Sequence, residues 1–539
     1  MYYRIRIQME IGPLSDTCDF FSDAFVFAGQ GIGYSDLTRP PFFPFLISLI
    51  LRLGYTSMTT IYVVDCAFLV FGVIGLYMLL RLRFTDLESF LGSLLFATFP
   101  IILSVVGFGF SDISSVAFTI WTFYFLILAV KEDSKFFYLA FPFAMFAFLA
   151  RYNSSLIIFP MFLYIFINKL KTKDLKNLVG GILLSLLVLV PVFIFFYQNF
   201  GNPLYPFMSF FDTSSGVSSA QNDSYNSDIF YFIEKLPPLV GVSGTLILLI
   251  TAFGMFIYEL FKIRRGNGFK KIDLSVDKKI TKIKLVALAV LAFIFVGTFG
   301  NITYMVSEVL FFVVSYMFYD LLKVFNVKDM DVHFLIFAWF MAFFIFQSVY
   351  VIKVTRYFIL MAPAVTYFLI LGLSEISKRL ICNFKGKNLT FPALSLTLIC
   401  IMILSTASYL PGLIEANHET KVTNDVVSSA SSWFESYDPS YKDKVIYSDL
   451  WPYFGWYLKT DVKPVPIFKD NQKFYDNVKD PHFTAKDNAA FNNELQNINA
   501  DYYLCSWQEL NLTSYTLIKR FGTLVIYEKT SEISQKNNF

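Results

Sequence analysis

Repeated apolar runs of about 18–25 residues, the length that a helix needs to cross a bilayer, are the feature that most constrains this chain. In lipid, backbone polar groups have to be paired inside the structure, so runs of this length favour helices. Apolar residues make up 56% of the 539 residues and charged residues only 16%, whereas soluble domains carry about 25% charged residues. This composition excludes a disordered chain, a basic nucleic-acid-binding protein and an ordinary soluble globule. The sequence therefore predicts a polytopic α-helical membrane protein.

About twelve candidate spans can be placed along the chain. They lie near residues 58–80, 88–107, 113–130, 136–150, 154–168, 177–198, 238–261, 284–300, 302–324, 333–351, 356–375 and 389–409. From about residue 411 onward, charged and Asn/Ser-rich sequence alternates with strand-like pieces such as KVIYSD, DYYLCSW and TLVIYEK. We therefore predict three parts: an external N-terminal segment (1–57), a transmembrane helical domain (58–410) and a soluble α/β domain (411–539).

Lys and Arg concentrate in every second loop of this arrangement. The basic loops are RLRF (81–84), KEDSK (131–135), KLKTKDLK (169–176), 261–284, KVFNVKD (323–329) and KRLICNFKGK (378–387). The loop 261–284 alone holds nine basic and two acidic residues. Because loops rich in Lys and Arg stay in the cytoplasm, we predict that these six are cytoplasmic. The other loops, the N-terminal segment and the C-terminal domain are then predicted to face outward from the plasma membrane.

The N-terminal segment raises a question of parity. Twelve spans with an external C-terminus put the N-terminus outside too, yet residues 1–13 contain neither a signal peptide nor a span. Either the natural protein has one more helix before Asp16, which is our prediction, or the tail is translocated by the next helix. Residues 40–55 begin with two prolines and are short for a span, so we interpret them as an amphipathic helix in the outer interface. A short true span is the alternative.

Few ionisable residues lie on the predicted outer side, and most of them are at the mouth of a span. They are Asp16, Asp19, Asp23, Asp36, Arg39, Asp112, Arg151, Lys353 and Arg356. A charge at this depth is costly unless it is paired or functional. Acids and bases gathered at one membrane face suggest a site for an anionic, lipid-linked substrate. The alternative is interfacial anchoring, with the arginines extending to lipid headgroups.

The segment SDTCDFFSDAFVFAGQGIGYSDLTRPPFFPFLISLILRLG (15–54) resembles the first external loop of the GT-C glycosyltransferases. It is most similar to the branch that contains the dolichyl-phosphate-mannose protein mannosyltransferases and the bacterial aminoarabinose transferase of lipid A. Asp16, Phe20, Ala24 and Arg39-Pro40-Pro41 fit the spacing of that loop. Phe20 replaces a Tyr of the pattern, Thr17 stands where Glu is common, and Thr38 replaces a Glu of the aminoarabinose branch.

Four further stretches are similar to the same family. They are GFGFSDISSVAF (107–118) with its outward Asp, ARYNSSLIIFP (150–160), NFGNPLYPF (199–207) and TRYFILMAPAV (355–365). The resemblance therefore covers roughly residues 15–410 and implies a GT-C-like fold with about 12–13 transmembrane helices.

The resemblance implies transfer of a sugar from a polyprenyl-phosphate donor to a lipid, glycan or protein acceptor at the outer membrane face. It also implies basic residues that contact the lipid phosphate, for which the candidates are Arg39, Arg151, Lys353 and Arg356. The acceptor hydroxyl needs a carboxylate to take its proton. We predict Asp16 for this role, with Asp19, one helical turn away, as the alternative. A single base with direct displacement implies inversion at the anomeric carbon.

Asp112 is the third candidate catalytic acid, with three interpretations: it orients the loop, pairs with an arginine, or helps to hold a divalent cation such as Mg²⁺ or Mn²⁺. The alternative is that it only caps the 113–130 helix. No cofactor is otherwise predicted, because the five Cys and three His show no metal-ligand spacing.

Two wider alternatives stay open. A polytopic lipid or glycan transporter or flippase is the second functional hypothesis, but it would favour inverted repeats and charges at the bilayer midplane. The loop 198–237 either closes over the acceptor or is a connector. The C-terminal domain is interpreted as accessory to acceptor binding or stability, and its aromatic SDLWPYFGWYL (448–458) is either a sugar platform or a packing surface.

Overall fold

The structure is a computed structural model. It describes residues 1–209, 224–264, 278–323, 328–379, 383–384, 387–388, 390–465, 467–469, 472–474, 484–506 and 510–530. Parts of four predicted loops lie outside these residues: the long loop 198–237 and the basic loops 261–284, 323–329 and 378–387.

The described residues are mostly α-helical. The helices are α1 (Tyr2–Ile11), α2 (Ser15–Phe27), α3 (Phe42–Leu51), α4 (Thr59–Arg81), α5 (Asp86–Ala97), α6 (Pro100–Val105), α7 (Ser111–Lys131), α8 (Phe137–Ala150), α9 (Ile158–Asn168), α10 (Thr172–Phe200), α11 (Tyr231–Glu234), α12 (Leu236–Arg264), α13 (Lys278–Thr298), α14 (Tyr304–Leu322), α15 (Met330–Val349), α16 (Ala362–Arg379), α17 (Thr390–Ala416), α18 (His418–Tyr437), α19 (Trp451–Leu458) and α20 (Ala485–Asn497). Short 3₁₀ helices occupy Ser134–Phe136, Tyr152–Ile157, Thr355–Leu360 and Tyr441–Asp443.

Seven helices of the described chain are long and apolar enough to cross a membrane. They are α4, α7, α10, the part of α12 over Leu236–Tyr258, α14, α15 and α17. The predicted class of polytopic helical membrane protein is thereby confirmed. Several other predicted spans are shorter or broken: the span predicted at 88–107 divides into α5 and α6, because Pro100 begins a new helix. Similarly, α8 has 14 residues and α9 has 11.

Two of these breaks place arginines at helix ends. Arg151 lies between α8 and the 3₁₀ helix Tyr152–Ile157, and Arg356 lies within the 3₁₀ helix Thr355–Leu360 that precedes α16. A hydropathy pattern registers apolar content but not where a helix stops. The predicted spans 154–168 and 356–375 therefore contain irregular backbone at one end, and that end carries polar side chains.

The interior of the bundle is an apolar cluster built mainly from α4, α5, α7, α8, α15 and α16. Trp339 of α15 is fully buried there, and its indole N–H donates to the Leu360 carbonyl at 2.9 Å. In contrast, the apolar stretches of α10, α12, α14 and α17 are only 17–22% buried within the protein. These four helices form the periphery, where their exposed apolar side chains suit a lipid environment.

Helix α3 begins directly after Pro40 and Pro41, as predicted, and has ten residues. At 1.5 Å per residue this is about half of the hydrocarbon thickness, so α3 is too short to be a span. It packs against α2, α4 and α8 and leaves Phe45 and Leu49 exposed on its other side. Its predicted place in the membrane interface stays a prediction.

The C-terminal part contains the five strands of one sheet, and three of them, at residues 446–448, 502–505 and 524–529, lie in the pieces predicted to be strands. The five strands are β3 (Ile446–Ser448), β4 (Val462–Pro464), β7 (Tyr502–Cys505), β8 (Tyr515–Phe521) and β9 (Leu524–Lys529). Two small hairpins are separate from this sheet: β1 (Asn383–Phe384) pairs with β2 (Lys387–Asn388), and β5 (Ile467–Lys469) pairs with β6 (Gln472–Phe474). The main sheet has the order β4-β3-β7-β9-β8. Strand β3 runs parallel to β4 and β7, and β9 runs antiparallel to β7 and β8.

Alternate residues of the central strands face two different apolar clusters, as the two-residue period of a strand requires. Tyr502 and Leu504 of β7 pack with α18 and α19, whereas Tyr503 and Cys505 pack with α20. The sheet is therefore a middle layer between helices, which is an α/β arrangement.

Candidate active site

Helix α2 supplies the acidic side of the site. Asp16 lies in its first turn, where the helix dipole favours a carboxylate. Asp19 and Asp23 follow at intervals of three and four residues, so all three carboxylates project from one helix face. The opposite face carries Cys18 and Phe21, which are fully buried. The helix is thus fixed by its apolar side and presents its acids on the other.

Arg39 gathers three of the nearby carboxylates around one guanidinium group. Its Nη2 lies 2.6 Å from Asp19 Oδ2 and 3.0 Å from Asp16 Oδ1, and its Nε lies 3.2 Å from Asp36 Oδ2. The ring of Phe20 lies 6.0 Å from the guanidinium carbon. The chain between α2 and α3 therefore folds back so that Arg39 covers the acidic face of α2.

Arg356 reaches the same site from a distant part of the chain. Its Nη1 donates to Asp16 Oδ2 at 2.8 Å, and its guanidinium lies 4.8 Å from the centre of the Phe110 ring. Both oxygens of Asp16 are therefore held by arginines, one before α3 and one before α16. The sequence predicts that Asp16 and Arg39 lie close together, and the structure places them in contact and adds Arg356 to the same carboxylate.

A second ion pair stands beside this cluster. Arg151 and Asp112 contact each other through Nη1 and Oδ1, and both are largely buried. The Arg151 guanidinium lies 4.9 Å from the centre of the Tyr357 ring, which is also 5.9 Å from the Arg356 guanidinium. Asp112 is the second residue of α7, and its pairing with an arginine is one of the three interpretations stated above.

Lys353 is the predicted site residue that the structure does not bring into the cluster. It is buried, and its Nζ donates to the carbonyls of Gln347 and Ser348 at 3.0 and 2.9 Å. These carbonyls belong to the last turn of α15, so the ammonium caps that helix. Its role as a phosphate ligand stays a prediction.

The acids of the cluster differ in how easily they lose a proton. Burial disfavours the charged form of Asp16, but the charges of Arg39 and Arg356 outweigh burial and hold its pKa well below the usual range. Burial raises the pKa of Asp19 to about 7, against the opposing charge of Arg39. Burial, together with the nearby Asp36, also raises the pKa of Asp23. Asp16 is thus the acid held most firmly as a carboxylate.

Accessibility separates the same two residues. The side chain of Asp16 is 18% exposed and that of Asp19 only 1%, whereas Arg39 is 30% exposed. Tyr34 covers Asp19 further, because its hydroxyl donates to Asp19 Oδ1 at 2.5 Å. A substrate that enters from solvent or lipid therefore meets Asp16 and the arginines first, while Asp19 supports Arg39 from below.

These carboxylates do not fit a metal centre. Asp16, Asp19 and Asp36 all face the guanidinium of Arg39, and Asp112 faces that of Arg151. Within the part of the chain that the structure describes, no group of three His, Cys, Asp or Glu is placed to hold a metal ion. A cation that bound these carboxylates would have to displace the arginines.

The C-terminal domain contacts the same helix that carries the acids. Trp456 of α19 lies 5.3 Å from Phe21 and 6.2 Å from Phe25, ring centre to ring centre. Gly455 lies against Tyr34 so closely that a Cβ atom there would be 2.4 Å from the Tyr34 ring. The aromatic stretch 448–458 thus packs on α2 through Trp456, while its Phe454 and Leu458 pack in the core of the C-terminal domain itself.

Asn424 adds a polar link between the two regions. Its Nδ2 donates to the Pro13 carbonyl at 2.8 Å, one turn before Asp16, and its Oδ1 accepts from the Tyr457 hydroxyl at 3.1 Å. The domain thus fixes both the start and the apolar face of α2.

Sequence reasoning missed two polar residues near the site, Tyr34 and Asp65. Asp65 is fully buried in α4, and its Oδ2 accepts the Gly107 and Gly109 amides at 2.8 and 3.2 Å. The available signal was the lone charge inside the predicted span 58–80, since an ionisable residue within a span points to function. Tyr34 carried no comparable signal, because an aromatic residue in a loop is common in this chain.

Comparisons with known proteins gave a family match for part of the sequence and structural matches for most of the chain. Residues 38–195 match the family model described as dolichyl-phosphate-mannose-protein mannosyltransferase. This match spans less than a third of the chain and includes Arg39, Asp112 and Arg151. No curated protein matches the sequence.

Two solved structures are similar over most of the chain. The crystal structure of ArnT from Cupriavidus metallidurans bound to undecaprenyl phosphate has a TM-score of 0.53 at 11% identity, over 97% of this chain and 94% of that one. The apo oligosaccharyltransferase of Archaeoglobus fulgidus has a TM-score of 0.51 at 13% identity, over 92% of this chain and 66% of that one. The protein therefore has the fold of the GT-C glycosyltransferases, and the resemblance predicted from residues 15–410 is confirmed at the level of the fold. Together with the family match, this fold supports a membrane glycosyltransferase of the GT-C type.

Proposed function

We propose that the protein transfers a sugar from a polyprenyl-phosphate donor to an acceptor hydroxyl, with Asp16 as general base and with inversion at the anomeric carbon. The single observation that carries the proposal is the pairing of Asp16 with Arg39 and Arg356 at an accessible site. Arginine binds phosphate oxygens with charge-assisted hydrogen bonds. The site thus combines a proton acceptor with the cations that a lipid phosphate needs.

An apolar cavity beside the site supports a lipid-linked donor. It has a volume of about 380 Å³ and is lined almost wholly by apolar side chains, among them Phe232, Leu248, Phe337, Phe358 and Phe368. Phe358 is only two residues from Arg356, in the same 3₁₀ helix. The 3₁₀ helix that carries Arg356 thus also contributes a side chain to the apolar cavity.

The proposed reaction is one displacement. The acceptor oxygen forms a bond to the anomeric carbon as its proton passes to an oxygen of Asp16. The bond between that carbon and the phosphate oxygen breaks, and the polyprenyl phosphate leaves with the bonding electron pair and one more negative charge. Arg39 and Arg356 stabilise this developing charge. When they turn to the phosphate they withdraw from Asp16, whose pKa then rises towards a value that suits a base.

Geometry favours Asp16 over Asp19 as the base. A base must reach the acceptor hydroxyl directly, and geometry is considered before pKa. Asp19 is 1% exposed and is held by both Arg39 and Tyr34. We therefore propose that Asp19 orients Arg39, while Arg151 and Asp112 flank the donor. The divalent cation stays a prediction.

Transfer assays with Asp16→Asn test this proposal. The purified protein is given a panel of polyprenyl-phosphate sugars and candidate acceptors, and product is measured by mass spectrometry. Asp16→Asn preserves the shape but not the proton acceptor, so turnover is expected to fall about 10²–10⁴-fold with little change in donor affinity. Asp425→Asn, an exposed residue of α18, is the matched control and should transfer normally.

Other outcomes of that assay each have a meaning. If Asp19→Asn abolishes transfer and Asp16→Asn does not, the base is Asp19. If both variants transfer normally, the proposed mechanism is wrong. Movement of lipid across vesicles without any transfer would favour the transporter or flippase alternative.

We also propose that the site and the C-terminal domain face outward from the plasma membrane, because the basic loops lie at the opposite ends of the helices. Single cysteines introduced at Ser440 and Glu132, both exposed, distinguish the two faces. An impermeant thiol reagent on intact cells should label the first position and not the second. The reverse pattern would place the site in the cytoplasm.

A further inference from the structure

The loop between α6 and α7, residues 106–110, connects the two halves of the site. It carries Phe110, whose ring lies 4.8 Å from the Arg356 guanidinium, and it leads directly to Asp112 in the first turn of α7. Gly107 and Gly109 both have a positive φ, +82° and +80°. Such a loop has no helix or strand to hold it, so its shape depends on side chains that bind its backbone.

Asp65 binds backbone N–H groups of this loop. Its Oδ2 accepts the N–H groups of Gly107 at 2.8 Å and of Gly109 at 3.2 Å, and the residue is fully buried. A Cβ atom on Gly109 would be 2.9 Å from the Ile61 side chain of α4. The glycine is therefore needed for the close approach of the loop to α4 as well as for its φ angle.

Arg4 and Thr17 bind backbone carbonyl groups. Those bound by Arg4 lie at the end of α6, just before the loop, and the one bound by Thr17 lies within it. The Arg4 Nε and Nη2 donate to the carbonyls of Leu103 and Ser104 at 3.0 and 2.9 Å, and its guanidinium lies 5.2 Å from the Phe108 ring centre. The Thr17 hydroxyl donates to the Phe108 carbonyl at 2.7 Å. Thr17 is the residue next to Asp16, so this bond joins the loop directly to the base.

We propose that Asp65 is a positioning residue of the active site, which fixes the loop 106–110 and through it the places of Phe110 against Arg356 and of Asp112 against Arg151. Burial of the Asp65 side chain within the helical domain is costly. The two hydrogen bonds that its Oδ2 accepts from backbone amides offset part of that cost. The part of this inference that concerns the reaction rests on the proposed function. The part that concerns the loop does not.

Hydrogen–deuterium exchange of the peptide covering 103–112 tests the loop directly. Asp65→Leu removes the acceptor, and the Gly107 and Gly109 amides should then exchange at least about 10-fold faster than in the wild type. Asp65→Asn keeps an acceptor oxygen and should stay within about 3-fold of the wild type. Asp320→Leu, an exposed aspartate at the end of α14, is the control and should leave this peptide unchanged. Thr17→Val provides a second probe if Asp65→Leu does not fold.

Binding of undecaprenyl phosphate tests the consequence for the site. Affinity should fall about 3–10-fold in Asp65→Leu, because the Arg356 guanidinium loses its fixed contact with Phe110, and Asp65→Asn should restore it. Unchanged exchange in a folded Asp65→Leu protein would overturn the proposal, as would failure of Asp65→Asn to rescue. Faster exchange with unchanged affinity would refute the positioning role. If the wild type does not bind this lipid, the proposed function fails, and the exchange data alone decide on the loop.

Discussion

The two ends of the helical bundle differ in how far their ion pairs are buried. At the end that contacts the C-terminal domain, Arg39, Arg151 and Arg356 are each at most 30% exposed and bind buried or half-buried carboxylates. At the other end the ion pairs are mixed. Arg81 with Asp86 is 38% and 78% exposed, and Lys378 with Glu375 is 57% and 36% exposed, whereas Arg83 with Asp329 is only 18% and 22% exposed. Exposed pairs contribute little to stability, whereas buried pairs carry a large desolvation cost.

The difference shows where the fold buries charged side chains despite the desolvation free energy that this costs. Buried ion pairs are weak evidence for stability, so the grouping of Asp16, Asp19 and Asp36 around Arg39 needs another reason. The proposed function, in which the site binds a phosphate and removes a proton, gives that reason. The exposed pairs at the other end need none, since they lie where the chain already meets water.

Among the variants that compare the two ends of the bundle, the largest effect is expected for Arg39→Ala. Removal of the guanidinium leaves the buried Asp19 without its cation and takes away a phosphate ligand. We expect kcat/KM for the donor to fall about 10²–10³-fold, with weaker donor binding as well as slower turnover. Arg39→Lys keeps the charge but not the planar fork, so it should lie between the wild type and Arg39→Ala.

Arg52→Ala is the matched control for Arg39, because Arg52 lies at the end of α3 and donates only to the Phe27 carbonyl among the described residues. It should transfer normally. Full donor affinity in Arg39→Ala would separate this residue from the phosphate and weaken the contrast between the two ends.

A smaller effect is expected for Trp456→Ala, which tests whether the C-terminal domain supports the site. The indole packs on Phe21 and Phe25, on the side of α2 opposite to its acids. Its loss should loosen α2 and reduce transfer about 10-fold, since small displacements of catalytic groups are costly. Trp433→Ala, on α18 and stacked on Tyr437, is the control. Equal losses of activity in the two variants would show that any damage to the domain has the same consequence.

The third prediction concerns pH and Asp19. The pKa of this carboxyl is about 7 in the folded protein and about 3.9 in an unfolded chain. Between these values the folded protein keeps a proton that the unfolded chain has lost, so this group lowers stability as the pH rises from about 4 to 7. Asp19→Asn cannot titrate and should remove that slope, which is at most about 1.4 kcal/mol per pH unit.

Thermal unfolding of both proteins in detergent between pH 4.5 and 7.5 measures this slope. The variant should gain stability relative to the wild type as the pH rises. Parallel curves would mean that Arg39 keeps Asp19 ionised throughout, and the cluster would then carry one more negative charge than we infer.

Much of the fold was predictable from sequence, because hydropathy and alternation are local patterns. Apolar runs predicted the helices, and the pieces around 444–449, 501–507 and 523–529 predicted β3, β7 and β9. The breaks in the spans were less visible, because the irregular backbone at Tyr152–Ile157 and Thr355–Leu360 adjoins the apolar runs that continue into α9 and α16.

The site was predictable only in part: the closeness of Asp16 and Arg39 was expected from the sequence, and the contact with Arg356 was not. A charge at the mouth of a span attracts attention by its cost, and this rule selected Asp16, Arg39 and Arg356. It could not say that Asp16 contacts an arginine 340 residues away, because such contacts follow from packing. The same rule included Lys353, which caps a helix, because local sequence does not distinguish a ligand from a cap.

The smallest effect is expected for Asp86→Asn at the exposed end. Asp86 Oδ1 lies 2.8 Å from Arg81 Nε, which is as close as several contacts at the site, but the aspartate is 78% exposed. Water and ions screen such a pair, so the loss should be about 0.2–1 kcal/mol and should shrink as salt is raised from 0.05 to about 0.5 M. Transfer should be unchanged. Thermal unfolding at both salt concentrations and the transfer assay measure these effects. A loss of activity comparable to that of Arg39→Ala would show that proximity, and not burial, decides which ion pairs matter here, and the contrast between the two ends would no longer hold.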